Sequence, residues 1–88
     1  MKPIPNKLFK VAALSSNLNS FGLRGMVVVA DDGEAWEVGG NSLNVRPRGA
    51  VVSVPMVRRK PNFSKLGYEI PRKLPKAPPE VVAKLWPN

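Results

Sequence analysis

Gly25-Met-Val-Val-Val-Ala-Asp-Asp-Gly-Glu-Ala-Trp-Glu-Val38 is the stretch whose reading decides the fold. Two β-prone arms, Met26–Ala30 and Glu34–Val38, flank Asp31-Asp32-Gly33. Glycine takes positive φ without steric cost, so the segment reads as a β-hairpin. A two-residue loop (Asp32-Gly33) sets Trp36 opposite Val29 and Val38 opposite Val27; a three-residue loop (Asp31–Gly33) sets them opposite Val28 and Met26. Both registers put Trp36 and Val38 on one face and Glu37 on the other. The first arm is apolar on both faces, as a central strand is, and Trp36 is expected beneath the sheet.

Downstream, turn signals recur. Gly39-Gly40-Asn41-Ser42 reads as a turn, Leu43–Arg46 as a short strand and Pro47-Arg48-Gly49 as another turn. Ala50–Met56 alternates as a strand with Val52, Val54 and Met56 on its buried face, and Pro55 belongs at an edge or strand end. Upstream, Lys7–Leu14 reads as a strand rather than a short helix, followed by a loop of turn-capping residues from Ser15 to Arg24. Phe21 and Leu23 are expected to tuck that loop against the hairpin. The pattern is mainly β: a small antiparallel meander, which resembles SH3-like or OB-like barrels in general form. Such a likeness licenses no function.

The ends differ in character. Pro3 and Pro5 make residues 1–6 an extended N-terminal arm. The β domain is expected over 7–70, with Phe63, Leu66, Tyr68 and Ile70 returning to the core and Tyr68–Ile70 as a last short strand. Residues 71–88 read as a Pro-rich basic arm, polyproline II or irregular from Pro71 to Pro79, ending in a short helix over Glu80–Trp86. Pro79 suits the first helical position, and Val82, Leu85 and Trp86 share one side. Seven residues form a helix only by docking. Leu74, Leu85 and Trp86 are therefore candidate interface anchors, and residues 71–88 are expected to be separable from a core that folds without them.

The 88 residues carry a net charge of +8. The N-terminal part holds Lys2, Lys7, Lys10 and Arg24 and no acid. The middle holds Arg46 and Arg48 against Asp31, Asp32, Glu34 and Glu37. From residue 58 onward Arg58, Arg59, Lys60, Lys65, Arg72, Lys73, Lys76 and Lys84 outnumber Glu69 and Glu80. Basic flanks around a mildly acidic core suit an anionic partner, nucleic acid or an acidic protein surface. Arg58, Arg59, Lys60, Lys65, Arg72, Lys73 and Lys76 are the candidate contacts. Phe63 and Tyr68 lie near them, as stacking aromatics would, but read as core.

Catalytic and cofactor chemistry find little support. The chain has no cysteine and no histidine, which removes thiolate ligands and the commonest general base. Asp31, Asp32 and Glu34 cluster at a hairpin tip, where acids are ordinarily solvated, without a glycine-spaced oxygen-ligand loop. Phe21-Gly-Leu-Arg-Gly25 lacks the lysine and hydroxyl pair of a phosphate-binding loop. Neither enzyme activity nor a cofactor or metal is expected. Arg72-Lys-Leu-Pro-Lys-Ala-Pro78 resembles ligands of SH3 domains, although an arm clamped on a neighbouring subunit accounts for the same residues.

No apolar run approaches the ~20 residues that cross a bilayer. Lys10 interrupts the only candidate for a signal-peptide core, and Pro3, Pro5 and the scarcity of arginine count against an organelle transit peptide. A virion or the cytoplasm is the expected location. Two functions fit. The first is a non-catalytic structural subunit of a large assembly, such as a virion or ribonucleoprotein particle. Its arms would lie on protein neighbours, other copies of the chain among them. The second is an autonomous small-barrel nucleic-acid-binding protein acting through phosphate contacts.

Overall fold

In the computed structural model, which describes residues 5–15 and 22–87, the central hairpin closes through three residues. The Gly33 N–H donates to the Ala30 carbonyl at 3.0 Å and the Ala30 N–H to the Glu34 carbonyl at 2.9 Å. A two-residue closure of the favoured type needs positive φ at both central positions; of Asp32 and Gly33 only the glycine has it, at 92°. Asp32 instead accepts the Glu34 N–H on its carboxylate at 3.0 Å. Val28 therefore faces Trp36, and Met26 faces Val38.

The elements in chain order are β1 (Asn6–Leu14), β2 (Arg24–Ala30), β3 (Ala35–Gly40), β4 (Val51–Val57), β5 (Lys60–Pro61), a 3-10 turn (Phe63–Leu66), β6 (Glu69–Leu74) and α1 (Pro79–Leu85). All strand pairs are antiparallel, in the order β5-β4-β1-β2-β3-β6. The sheet curls into a half-barrel. Alternation sends Phe9 and Val11 of β1, Met26, Val28 and Ala30 of β2, Val38 of β3, and Val52 and Val54 of β4 into one core. A bulge at Ala12 shifts the β1–β2 register after Val11 and bends the strand there.

The chain from β5 to β6 crosses the inner face and closes it. Phe63 and Tyr68 are its buried side chains. The Phe63 ring lies 5.5 Å from both Phe9 and Trp36, and the Tyr68 hydroxyl donates to the Asn44 carbonyl at 2.7 Å. Leu66 and Ile70, expected in the core, are exposed. Trp36 is half-buried rather than covered: its ring packs on Phe63 while its Nε1 donates to Glu34 Oε2 at 2.7 Å, which holds the polar edge at the rim.

The C-terminal arm lies on the protein's own sheet. β6 runs through the boundary expected after residue 70 and pairs with β3, Leu74 opposite Ala35 and Arg72 opposite Glu37. Pro71 is tolerated because Ile70 and Pro71 together oppose Val38 in a bulge, where an N–H is dispensable. The chain then crosses the hairpin loop, the Ala77 N–H donating to the Gly33 carbonyl at 2.8 Å. A Cβ at Gly33 would meet Lys76 Cγ at 3.0 Å, so glycine serves both the turn and this crossing. α1 docks on the outer face of β2. Trp86 Nε1 donates to the Val29 carbonyl at 3.0 Å, and Lys10 caps the helix by donating to the Leu85 carbonyl at 2.8 Å.

Two further expectations shift. Leu43–Arg46 is not a strand: the Asn41 side chain accepts the N–H groups of Leu43 and Asn44, and Asn44 Oδ1 accepts the Asn41 N–H at 2.7 Å. Those amides satisfy locally what a neighbouring strand would have satisfied. The expected N-terminal arm gives up Asn6, which opens β1 opposite Pro55; residues 1–4 and most of the Ser15–Arg24 loop, Phe21 included, lie outside the described residues. No helix among the described residues is long and apolar enough to cross a membrane.

Candidate nucleic-acid interface

Three of the six acids, Asp32, Glu34 and Glu37, are paired within the fold, and Asp31, Glu69 and Glu80 are exposed. Lys7 on β1 bonds Asp32 at 2.8 Å and Glu34 at 2.6 Å, so two of the three carboxylates expected to be solvated at the hairpin tip share one ammonium. The Lys7 hydrogen bond, aided by the Glu34 N–H, holds the Asp32 carboxyl below its usual range. Burial pushes Glu34 up, but hydrogen bonds from Lys7 and Trp36 outweigh it and leave that carboxyl lowered as well. Burial likewise works against the Lys7 ammonium, and its bonds to Asp32 and Glu34 reverse the effect and raise it. Among the described residues no cluster of acids is arranged to hold a metal ion. On β3, Glu37 takes Arg72, whose Nε and Nη2 reach the same carboxylate oxygen at 3.1 and 2.5 Å.

The cations are placed differently. Arg58 and Arg59 form the two-residue tip between β4 and β5, closed by the pairing of Val57 with Lys60. Both arginines have positive φ, 51° and 68°, the conformation of the hairpin turn whose twist matches its strands and which favours Asn-Gly. Each L-residue held there costs roughly 1–2 kcal/mol. Pairing on either side holds the turn: Met56 faces Pro61, and the Asn62 N–H donates to the Pro55 carbonyl at 2.7 Å. Arg58, Arg59 and Lys60 are all exposed, as is Lys65 on the crossover.

Lys73 and Lys76 are exposed as well, at the opposite edge of the sheet. Lys73 sits opposite Trp36 and Lys76 over the β2–β3 loop. The seven predicted contacts thus divide. Arg58, Arg59 and Lys60 form one cluster, Lys65 lies on the crossover, and Lys73 on β6 and Lys76 just beyond it stand at the other edge. Arg72 is exposed but paired with Glu37.

The predicted anchors are placed inward. Leu74, Leu85 and Trp86 are each half-buried against the chain's own sheet or helix, so as anchors they serve the monomer first. Lys10 holds a role that no motif in the sequence signals. Its ammonium stands 4.5 Å from the centre of the Trp86 ring, a cation–π contact, besides capping α1. Only the β1–β2 register reveals that pairing. The aromatics beside the basic cluster are unavailable for stacking, since Phe63 and Tyr68 are 1% and 4% exposed.

A hollow of about 550 Å³ is an open groove between the β2–β3 loop and the start of α1. Asp31, Asp32 and Lys76 line it beside Pro78, Pro79 and Val82, with no convergent set of groups for acid–base or nucleophilic work. Comparison with protein-family models, with curated proteins and with solved structures finds no match for this chain.

Proposed function

We propose that this protein is a non-catalytic, autonomous nucleic-acid-binding module that acts through contacts with phosphates. One observation carries the reading. Lys7 and Glu37 take up acids and a cation internally, whereas Arg58, Arg59, Lys60, Lys65, Lys73 and Lys76 are exposed and enter no ion pair among the described residues. A surface with that balance attracts a polyanion and releases its counterions on contact. The folded-back C-terminal segment also removes the main reason for assigning the tail to a neighbouring subunit.

Replacing Arg58, Arg59 and Lys60 by serine tests the reading. The expected result is an intact fold with weaker binding to a labelled oligonucleotide at low salt. The salt slope should be shallower by up to about 0.9 for each phosphate that is no longer neutralised. Unchanged binding would show the three residues to be solvated bystanders.

A second reading, a structural subunit of a virion or ribonucleoprotein particle, is favoured by a different feature. Leu8, Val51 and Val57 are 48%, 52% and 47% exposed, on the outer-face positions of β1 and β4. An apolar surface of this kind suits a protein neighbour. Sedimentation over a range of concentrations distinguishes the two: self-association abolished by Leu8→Ser with Val51→Ser supports the second, and a monomer at every concentration counts against homo-oligomeric assembly.

A further inference from the structure

We propose that the Arg58–Arg59 tip enters the minor groove of duplex DNA, with the two guanidinium groups as the inserted elements. This deepens the nucleic-acid reading and rests on it. Three observations lead to the tip. First, both arginines hold positive φ in a turn where Asn-Gly would sit without strain. Residues held in sparsely populated backbone conformations by the structure around them cluster at active sites, ligand clamps and switch regions. Second, neither the tip nor its two strands carry an acid: Asp31, Asp32 and Glu34 lie at the β2–β3 hairpin, Glu37 on β3, Glu69 on β6 and Glu80 in α1. Lys60 adds a third cation, and exposed Val57 completes a small ribbon end.

Third, the described aromatics do not form a platform for unstacked bases. Phe9, Phe63 and Tyr68 are buried, the Trp36 ring packs on Phe63, and the Trp86 ring lies beneath Lys10. Single-strand binding draws much of its energy from base–aromatic stacking. A surface that offers charge without rings is better matched to a duplex. Two adjacent arginines on a turn only two residues wide suit the ~6 Å minor groove of B-form DNA. That groove is narrowest and most negative in A-tracts, where arginine is the preferred insert. The minor groove of A-form RNA is wide and shallow and gives such a tip little to enter.

The test compares the intact protein with two double variants on an A-tract duplex, a G·C-rich duplex, duplex RNA and a single strand, all of equal length. Arg58→Lys with Arg59→Lys keeps the charge and removes the guanidinium groups. Arg58→Asn with Arg59→Gly removes the charge and relaxes the turn, and its melting temperature confirms that the fold survives. The intact protein is expected to prefer the A-tract duplex by about tenfold. The Lys-Lys variant should retain low-salt binding but lose that preference, and the Asn-Gly variant should weaken on every probe. Binding without A-tract preference, or binding to single strands or duplex RNA at least as tight, overturns the minor-groove assignment while leaving the phosphate reading in place. Failure of the intact protein to bind any of the four probes overturns both.

Discussion

Replacing Trp86 by alanine removes the side chain that ties α1 to the sheet. The ring is half-buried, so roughly 100 Å² of it returns to water at a loss of ~2.5 kcal/mol. The bond to the Val29 carbonyl adds about 1 kcal/mol, and the Lys10 ammonium above the ring adds about 0.5–1 kcal/mol. Against this, the freed segment regains conformational entropy of ~1 kcal/mol per residue, so the loss cannot exceed the net free energy that holds α1 down. A net cost of about 2 kcal/mol is expected, which corresponds to roughly 30-fold faster opening of the helix. Hydrogen exchange at the backbone amides of Val81, Val82 and position 86 reads this directly, because all three donate in the turns of α1 and its ends. Lys10→Met should speed the same amides, since it removes the helix cap and the cation over the ring. Unchanged exchange in both variants would refute the docking of α1 on β2.

Deleting residues 71–88 should lower the melting temperature sharply or prevent folding, because it removes most of β6 and uncovers the β3 edge; a cooperative melt like that of the parent would show the segment to be dispensable. Ile70 is a β-branched residue at φ 53° and 61% exposed. Ile70→Gly should therefore raise stability by about 0.5–1 kcal/mol by relieving the strained conformation, and a lower melting temperature would show that its packing matters more. The Lys7–Asp32–Glu34 cluster sets two pH windows. Its carboxyls are lowered in the fold, so their contribution is complete above their ordinary values near ~4 and fades as pH falls through the lowered ones. Lys7 is raised, so its contribution is complete below ~10.4 and fades as pH climbs through the raised value. Lys7→Met should flatten the stability profile in both windows, and an unaltered profile would dissociate the cluster from stability.

Local chemistry announces what local chemistry determines. Gly33 and the flanking valines mark the central hairpin, the alternation of Val52 and Val54 marks β4, and Pro79 marks the start of α1. The loop length needed more, since Asp-Gly serves two- and three-residue closures alike, and the Asp32 carboxylate decides between them. β6 was concealed by Pro71 and its charges, which read as unpaired chain until the β3 edge and a bulge accommodate them. Lys7 reaches Asp32 and Glu34 across 25 and 27 positions, and Lys10 reaches Leu85 across 75. Pairings that distant depend on topology, and no spacing rule along the chain encodes them. Among the candidate contacts, charge alone could not separate the paired Arg72 from the unpaired Arg58 and Arg59, because Glu37 meets Arg72 only through sheet register.

The salt dependence of binding to a labelled DNA duplex tests the central claim most directly. With about five phosphates neutralised by the exposed lysines and arginines, log K should fall linearly with log salt at a slope near −4.5, losing roughly 500-fold between 50 and 200 mM. Binding that is absent at the lowest salt, or that persists unchanged across the range, would contradict a phosphate-binding surface.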